Sequence, residues 1–238
     1  MAEKIIGILG GMGPEATIDL FTKIVKGIKV KKDQDHLRIL IDNNPKIPDR
    51  TLAIQGKGPN PLPQLIQSAK LLKKAGADFI VIPCVTAHYY FDPLQKRVKI
   101  PILHIVKETV NHIQERLKKV YKIGLIATTG TIQTGLFQKA LSAIGVDSIF
   151  PDPPVQKNWV MEAIYGEKGI KAIGPSEFNR YLIYEVSQRL LRQGAQAIIA
   201  GCTEIPLVLK DEDLSVPVID PIALLAQAAI KKARGGKR

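Results

Sequence analysis

Cysteine, aromatic residues and acidic charge are all scarce in this chain. Its 238 residues include two cysteines, one tryptophan and 5% aromatics. Two thiols cannot build a disulfide framework. The four histidines (His36, His88, His104 and His112) fall in neither a Cys-x-x-Cys nor a His-x-x-x-His pattern, so the usual spacings of a metal site are missing. No apolar run approaches the ~18 residues that span a bilayer, and Asp19 and Lys23 interrupt the first hydrophobic stretch. Met1-Ala2-Glu3-Lys4 leads straight into a strand-like segment, without the layout of a signal peptide. These absences predict a cytoplasmic protein with no membrane partner. Carboxylates number 22 against 34 Lys and Arg, a formal net charge of +12, with denser basic runs at residues 26–32 and 231–238. No aromatics interleave those runs as a base-stacking platform requires. The excess therefore reads as a solvated surface that attracts small anions, with no nucleic-acid partner.

What is present is ordinary globular composition, 45% hydrophobic and 24% charged, in a length that buries a core unaided. Short apolar runs at residues 4–9, 38–41, 79–82, 100–104, 122–126, 197–200 and 216–219 read as buried parallel strands. Helical spacing lies between them, as in Leu65, Ala69 and Leu72 before a stop at Gly76. Strand and helix in alternation mean an α/β architecture, with helices covering parallel sheets.

The chain also repeats itself. Gly76-Ala77-Asp78-Phe79-Ile80-Val81-Ile82-Pro83-Cys84 aligns with Gly194-Ala195-Gln196-Ala197-Ile198-Ile199-Ala200-Gly201-Cys202. Upstream, Ile6-Gly7-Ile8-Leu9 matches Ile123-Gly124-Leu125-Ile126; downstream, Ile100-Pro101-Ile102-Leu103 matches Val216-Pro217-Val218-Ile219. A nearly constant offset of about half the chain predicts two pseudo-symmetric α/β lobes. Their expected bounds are residues 1–104 plus 217–238, and 105–216, with the active site between them.

The repeat places the two cysteines at equivalent points just past a strand, where open parallel sheets bind ligands. Two readings follow. Buried cysteine is a common small core residue. Alternatively, the pair serves one carbon acid: a thiolate removes a proton from one face, a thiol delivers one to the other, and the stereocentre inverts. That chemistry needs each sulfur to titrate near working pH, which a helix N-terminus after each strand supplies. Thr86 and Thr203 either cap those helices or donate to a substrate oxygen.

The segments Ile8-Leu9-Gly10-Gly11-Met12-Gly13-Pro14, Asn43-Asn44-Pro45-Lys46-Ile47-Pro48-Asp49-Arg50-Thr51, Pro83-Cys84 with Thr86-Ala87-His88, and Gly201-Cys202-Thr203-Glu204 resemble the aspartate/glutamate racemase superfamily, and its aspartate racemase branch most closely. The resemblance runs nearly end to end. It implies a cofactor-independent amino-acid racemase, acting on aspartate and assembled as a homodimer, with Cys84 and Cys202 as acid and base. It further implies that Arg50, with Thr51 beside it, holds the substrate carboxylate, a role suited to the planar guanidinium fork. Lys171 resembles a substrate-contacting lysine of the family, with Lys168 a nearby competitor. Thr86 and Ala87 correspond to contacts just after the first cysteine, and Thr128 and Thr129 add contacts by symmetry. Val85 is a departure, since the family usually has Asn there. An isopropyl group cannot hydrogen-bond a carboxylate.

Other readings compete. Gly11-Met12-Gly13-Pro14-Glu15-Ala16 fits a loose dinucleotide fingerprint. Its acidic partner is poorly placed, because Asp33 and Asp35 precede the second strand and Asp42 comes late. Within carbon-acid chemistry, glutamate or broad-specificity racemases, hydantoin racemases, maleate isomerases and arylmalonate decarboxylases share paired cysteines. A module that merely binds an amino acid would need neither thiol.

Overall fold

The computed structural model describes residues 3–235. Met1, Ala2 and the end of the basic tail from residue 236 lie outside them. The chain divides into two compact units, Met1–Glu108 with Ile222–Arg238, and Thr109–Pro221.

The first unit opens with β1 (Ile6–Gly10), buried at every position. In α1 (Pro14–Lys26), Pro14 takes the first turn, where a missing N–H is harmless, and Ala16, Thr17, Leu20 and Ile24 form the buried stripe. Then come β2 (Ile39–Asn43), the short α2 (Arg50–Ile54), α3 (Leu62–Lys74) and β3 (Phe79–Val81). The strands pair in parallel in the order β2-β1-β3. Leu65, Ala69 and Leu72 lie buried along α3 as their spacing predicts. A 3-10 turn (Thr86–Tyr90), α4 (Phe91–Val98) and α5 (Ile105–Arg116) follow.

The second unit runs β4 (Lys122–Ile126), α6 (Thr129–Thr134), α7 (Leu136–Ser142), β5 (Asp147–Ile149), a stretch of short helical turns over residues 153–173, α8 (Glu177–Arg192), β6 (Ala197–Ala200) and β7 (Val218–Ile219). All pairs are parallel, in the order β5-β4-β6-β7. A final helix, α9 (Pro221–Ala233), belongs mostly to the first unit, where the Lys4 N–H donates to the Ala233 carbonyl at 2.9 Å.

The internal repeat holds at the level of register. Ile6 and Gly7 pair with Phe79 and Ile80, while their counterparts Ile123 and Gly124 pair with Ala197 and Ile198. The turn into each of these strands is also shared. After α3 and α8 the chain reverses through Gly76 and Gly194, at φ 101° and 91°, a conformation that a side chain strongly disfavours.

Some expectations need correction. Residues 100–104 form no strand; a single bridge joins Ile102 to Ile80. That bridge rests on two hydrogen bonds, from the Ile80 N–H to the Pro101 carbonyl (2.8 Å) and from the Leu103 N–H to the Ile80 carbonyl (2.9 Å). The 38–41 run forms an edge strand, not a buried one, with Ile41 42% exposed. β5 escapes sequence reading because Asp147-Ser148-Ile149 is a short, half-exposed edge strand. The return to the first unit comes at Ile222 and not at residue 217, because Val218 and Ile219 pair with β6.

Candidate active site

In the first unit, Cys84 sits a short turn beyond β3, 5% exposed, with its N–H donating to the Ile82 carbonyl at 2.8 Å. The 3-10 turn after it carries Thr86, Ala87 and His88, all buried. Val85, at its head, is also buried and makes no capping bond. Thr86 therefore lies inside this turn and does not cap it.

His88 is a residue whose role the sequence did not disclose. Its Nδ1 lies 2.9 Å from the Cys84 carbonyl, and its Nε2 accepts from the Ile105 N–H at 3.3 Å. Since Nε2 accepts, Nδ1 carries the proton and donates to Cys84. Burial, then the neighbouring His104, pushes the imidazole pKa down to about 3. His88 is therefore a neutral brace for the backbone of Cys84.

Arg50 opens α2, which packs against the turn after Cys84. Its guanidinium is buried and donates from Nη1 to the carbonyls of Ile47 (3.2 Å) and Pro48 (3.0 Å), and from Nη2 to that of Met12 (3.3 Å). These hydrogen bonds to backbone carbonyls fix the head group. The glycine-rich loop can reach Arg50 because Gly11 takes φ 90° where a Cβ would meet the Asn44 backbone at 2.3 Å. Beside Arg50, Thr51 is 5% exposed and its Oγ1 is buried with no hydrogen-bond partner. A fixed guanidinium followed by an unsatisfied buried hydroxyl suits an incoming carboxylate.

In the second unit, Cys202 lies just past β6 and is 6% exposed. Its thiol donates to Glu204 Oε2 at 2.9 Å, and the Thr203 hydroxyl donates to the same oxygen at 3.2 Å. Glu204 Oε1 pairs with the Lys171 ammonium; the side chains are 2% and 19% exposed. Of the two candidate lysines, Lys171 is thus the one tied to the cysteine, through Glu204, while Lys168 is exposed. Thr203 binds this carboxylate and does not cap the following turn. Thr128 caps α6, accepting from the Thr131 N–H, and Thr129 Oγ1 accepts from Gln156; both hydroxyls are engaged locally.

The expectation that both thiols titrate near working pH fails at Cys202. Burial and then the Glu204 charge push its pKa well above that of an ordinary thiol, with Lys171 opposing in part. Glu204 stood in a recognised motif, yet nothing in the sequence gave it a role. The available signal was a carboxylate placed two positions after a cysteine in an otherwise apolar Ile-Pro context. Among the described residues, no group of three or more His, Cys, Asp or Glu could hold a metal ion, and no helix is long and apolar enough to cross a membrane.

Comparison with known proteins gives a consistent picture. The family described as Asp/Glu/Hydantoin racemase matches residues 9–229. A broad-specificity amino-acid racemase of Bacillus subtilis (strain 168) is 31% identical over 95% of this chain and 96% of its own. The structure of Picrophilus torridus aspartate racemase superposes with a TM-score of 0.85 at 29% identity, covering 97% of this chain and 94% of the other. An aspartate racemase homologue from Pyrococcus horikoshii OT3 superposes at 0.74 and 24% identity, covering 97% and 99%, a likeness of fold.

Proposed function

Because this chain belongs to the Asp/Glu/hydantoin racemase family, an isomerase family with the same two-lobe α/β fold, we propose that it racemises aspartate without a cofactor, Cys84 and Cys202 acting on opposite faces of Cα. The observation that carries this reading is the repeat itself: β3 and β6, paired in matching register with β1 and β4, each end just before a buried cysteine. In one direction, the Cys84 thiolate takes the Cα proton and the Cys202 thiol delivers its own to the opposite face. The reverse reaction exchanges the roles. Arg50 and Thr51 hold the α-carboxylate, with Thr86, Ala87, Thr128, Lys171 and Thr203 completing the surroundings. The homodimer implied by the family resemblance is part of the same reading and is checked by sedimentation equilibrium.

The direct test follows loss of optical purity in L- and D-aspartate, beside glutamate and several neutral amino acids. Interconversion of aspartate enantiomers after exhaustive dialysis against chelator and carbonyl reagents supports the reading; inertness toward the whole panel contradicts it. Arg50→Lys is expected to lower kcat/KM by about 10- to 150-fold, the loss of one charge-assisted contact worth ~1.5–3 kcal/mol. Kinetics indistinguishable from the parent would confine Arg50 to bracing its loop.

Buried Val85 favours a second reading, broad specificity, as in the Bacillus subtilis relative. If aspartate is the native substrate, its carboxylate lacks an amide partner there, and Val85→Asn raises kcat/KM for aspartate by about 5-fold, worth ~1 kcal/mol. If Val85 packs against less polar side chains, the same variant loses activity on neutral amino acids instead. Loss on every substrate would show that Val85 belongs to the native pocket and that no contact is missing.

A further inference from the structure

Cys84 and Cys202 occupy matching places in the repeat, but their surroundings differ. The Cys202 thiol has a carboxylate acceptor at 2.9 Å. No carboxylate bonds the Cys84 thiol among the described residues. Glu204 is 1% exposed and is placed to do more than pack: one oxygen takes the Lys171 ammonium, and the other takes both the Cys202 thiol and the Thr203 hydroxyl. Lys171 lies in turn over the Tyr165 ring, 5.6 Å from its centre. Such a carboxylate would be expelled from the interior unless a cation and hydrogen bonds held it there.

We infer that Glu204 is the positioning residue of Cys202: it holds the sulfur as a thiol aimed along one hydrogen bond, so that Cys202 is the proton donor in the resting enzyme, and Lys171 keeps the carboxylate ionised for that purpose. This deepens the two-cysteine reading and rests on it. In the turnover that starts from this form, Cys84 arrives as thiolate and leaves as thiol, while Cys202 gives up its proton and is left as thiolate beside Glu204. That product form carries two adjacent anions against one ammonium. It is the less stable of the two free forms, and proton return to Cys202 restores the resting state.

The test uses Cys84→Ser protein, so that Cys202 is the only thiol, and needs no turnover. The groups bearing on its titration are Glu204 and Lys171, with Tyr165 beneath the latter. The rate of Cys202 alkylation by iodoacetamide is followed against pH by mass spectrometry. In the Cys84→Ser protein the half-point should lie above the ordinary thiol value of about 8.5. Adding Glu204→Gln should speed alkylation at pH 7.5 by about 10-fold or more, one pKa unit corresponding to a tenfold change in thiolate. Adding Lys171→Met, which leaves the buried carboxylate to take up a proton, should speed it as well, whereas Lys171→Arg, which keeps a cation beside Glu204, should leave it slow. Rescue by the charge-conserving variant is the mark of an electrostatic role, because loosening of a packed pair would speed alkylation in Lys171→Arg too. A half-point at or below 8.5 in the Cys84→Ser protein overturns the inference even if Glu204→Gln fails to fold, as does no change in Glu204→Gln or equal acceleration in Lys171→Arg and Lys171→Met. Retention of racemase activity in Cys84→Ala would instead sink the two-cysteine reading and leave this titration to be judged separately.

Discussion

Cys84→Ala and Cys202→Ala are each expected to lower kcat/KM by about 10²–10⁴-fold, the usual worth of a positioned acid or base. The loss corresponds to ~3–5 kcal/mol of transition-state stabilisation. Because substrate and product are enantiomers, the equilibrium constant is one, so each variant must lose kcat/KM equally in the two directions. The two variants should still differ in kcat, since the thiols sit in unlike surroundings. The fold should survive both changes. Each cysteine is a small buried residue, and after Cys202→Ala the Glu204 carboxylate keeps its bonds to Lys171 and Thr203. Chiral chromatography in both directions, beside circular dichroism, makes the measurement. More than about a tenth of parental turnover in either variant, a loss of only ~1.4 kcal/mol, would contradict the two-base mechanism.

The second large effect is on stability. His88 is neutral in the fold, with its pKa lowered from 6.5 to about 3 by burial and then by His104. In the unfolded chain the imidazole binds a proton near pH 6.5; in the folded protein it resists until near pH 3. Its contribution is therefore complete above pH 6.5 and is lost as pH falls through that window. The full loss is on the order of 4–5 kcal/mol, at 1.36 kcal/mol per unit. His104 and His112 are shifted in the same direction, also by burial first, and add to the slope. Urea unfolding midpoints should fall steeply from pH 6.5 to pH 4. In His88→Asn, whose amide can still donate to the Cys84 carbonyl, the starting stability is lower and the decline distinctly shallower. Equal slopes in parent and variant would show that His88 does not titrate across this window.

Much of this architecture could be read from local pattern. β1, β4 and β6 are unbroken apolar runs because they are central strands buried on both faces, and the repeat located both cysteines without any tertiary information. The edges were less legible. β5 is half-polar and has no periodicity to read, while the apolar run at residues 100–104 reads as a strand yet yields only the bridge from Ile102 to Ile80. Polar roles in the interior were the least legible. The partner of Glu204 lies 33 residues away at Lys171, and His88 finds its acceptor and donor in Cys84 and Ile105. Such bonds depend on how distant segments meet, and the residue types alone give no hint of them. Arg50 shows the same gap. Its identity suggested a carboxylate, while the three carbonyls that hold it come from two separate loops.

The measurement that bears most directly on the central claim is the fate of the Cα hydrogen. L-aspartate is incubated with the enzyme in D₂O, and the deuterium content of both enantiomers is read by mass spectrometry at low conversion. With one thiol on each face, the D-aspartate formed should carry deuterium at Cα almost completely, while the recovered L-aspartate stays nearly free of it. If the D-aspartate retains the original hydrogen, or both enantiomers gain deuterium at equal rates from the start, a single base serves both faces and the paired-cysteine account is wrong.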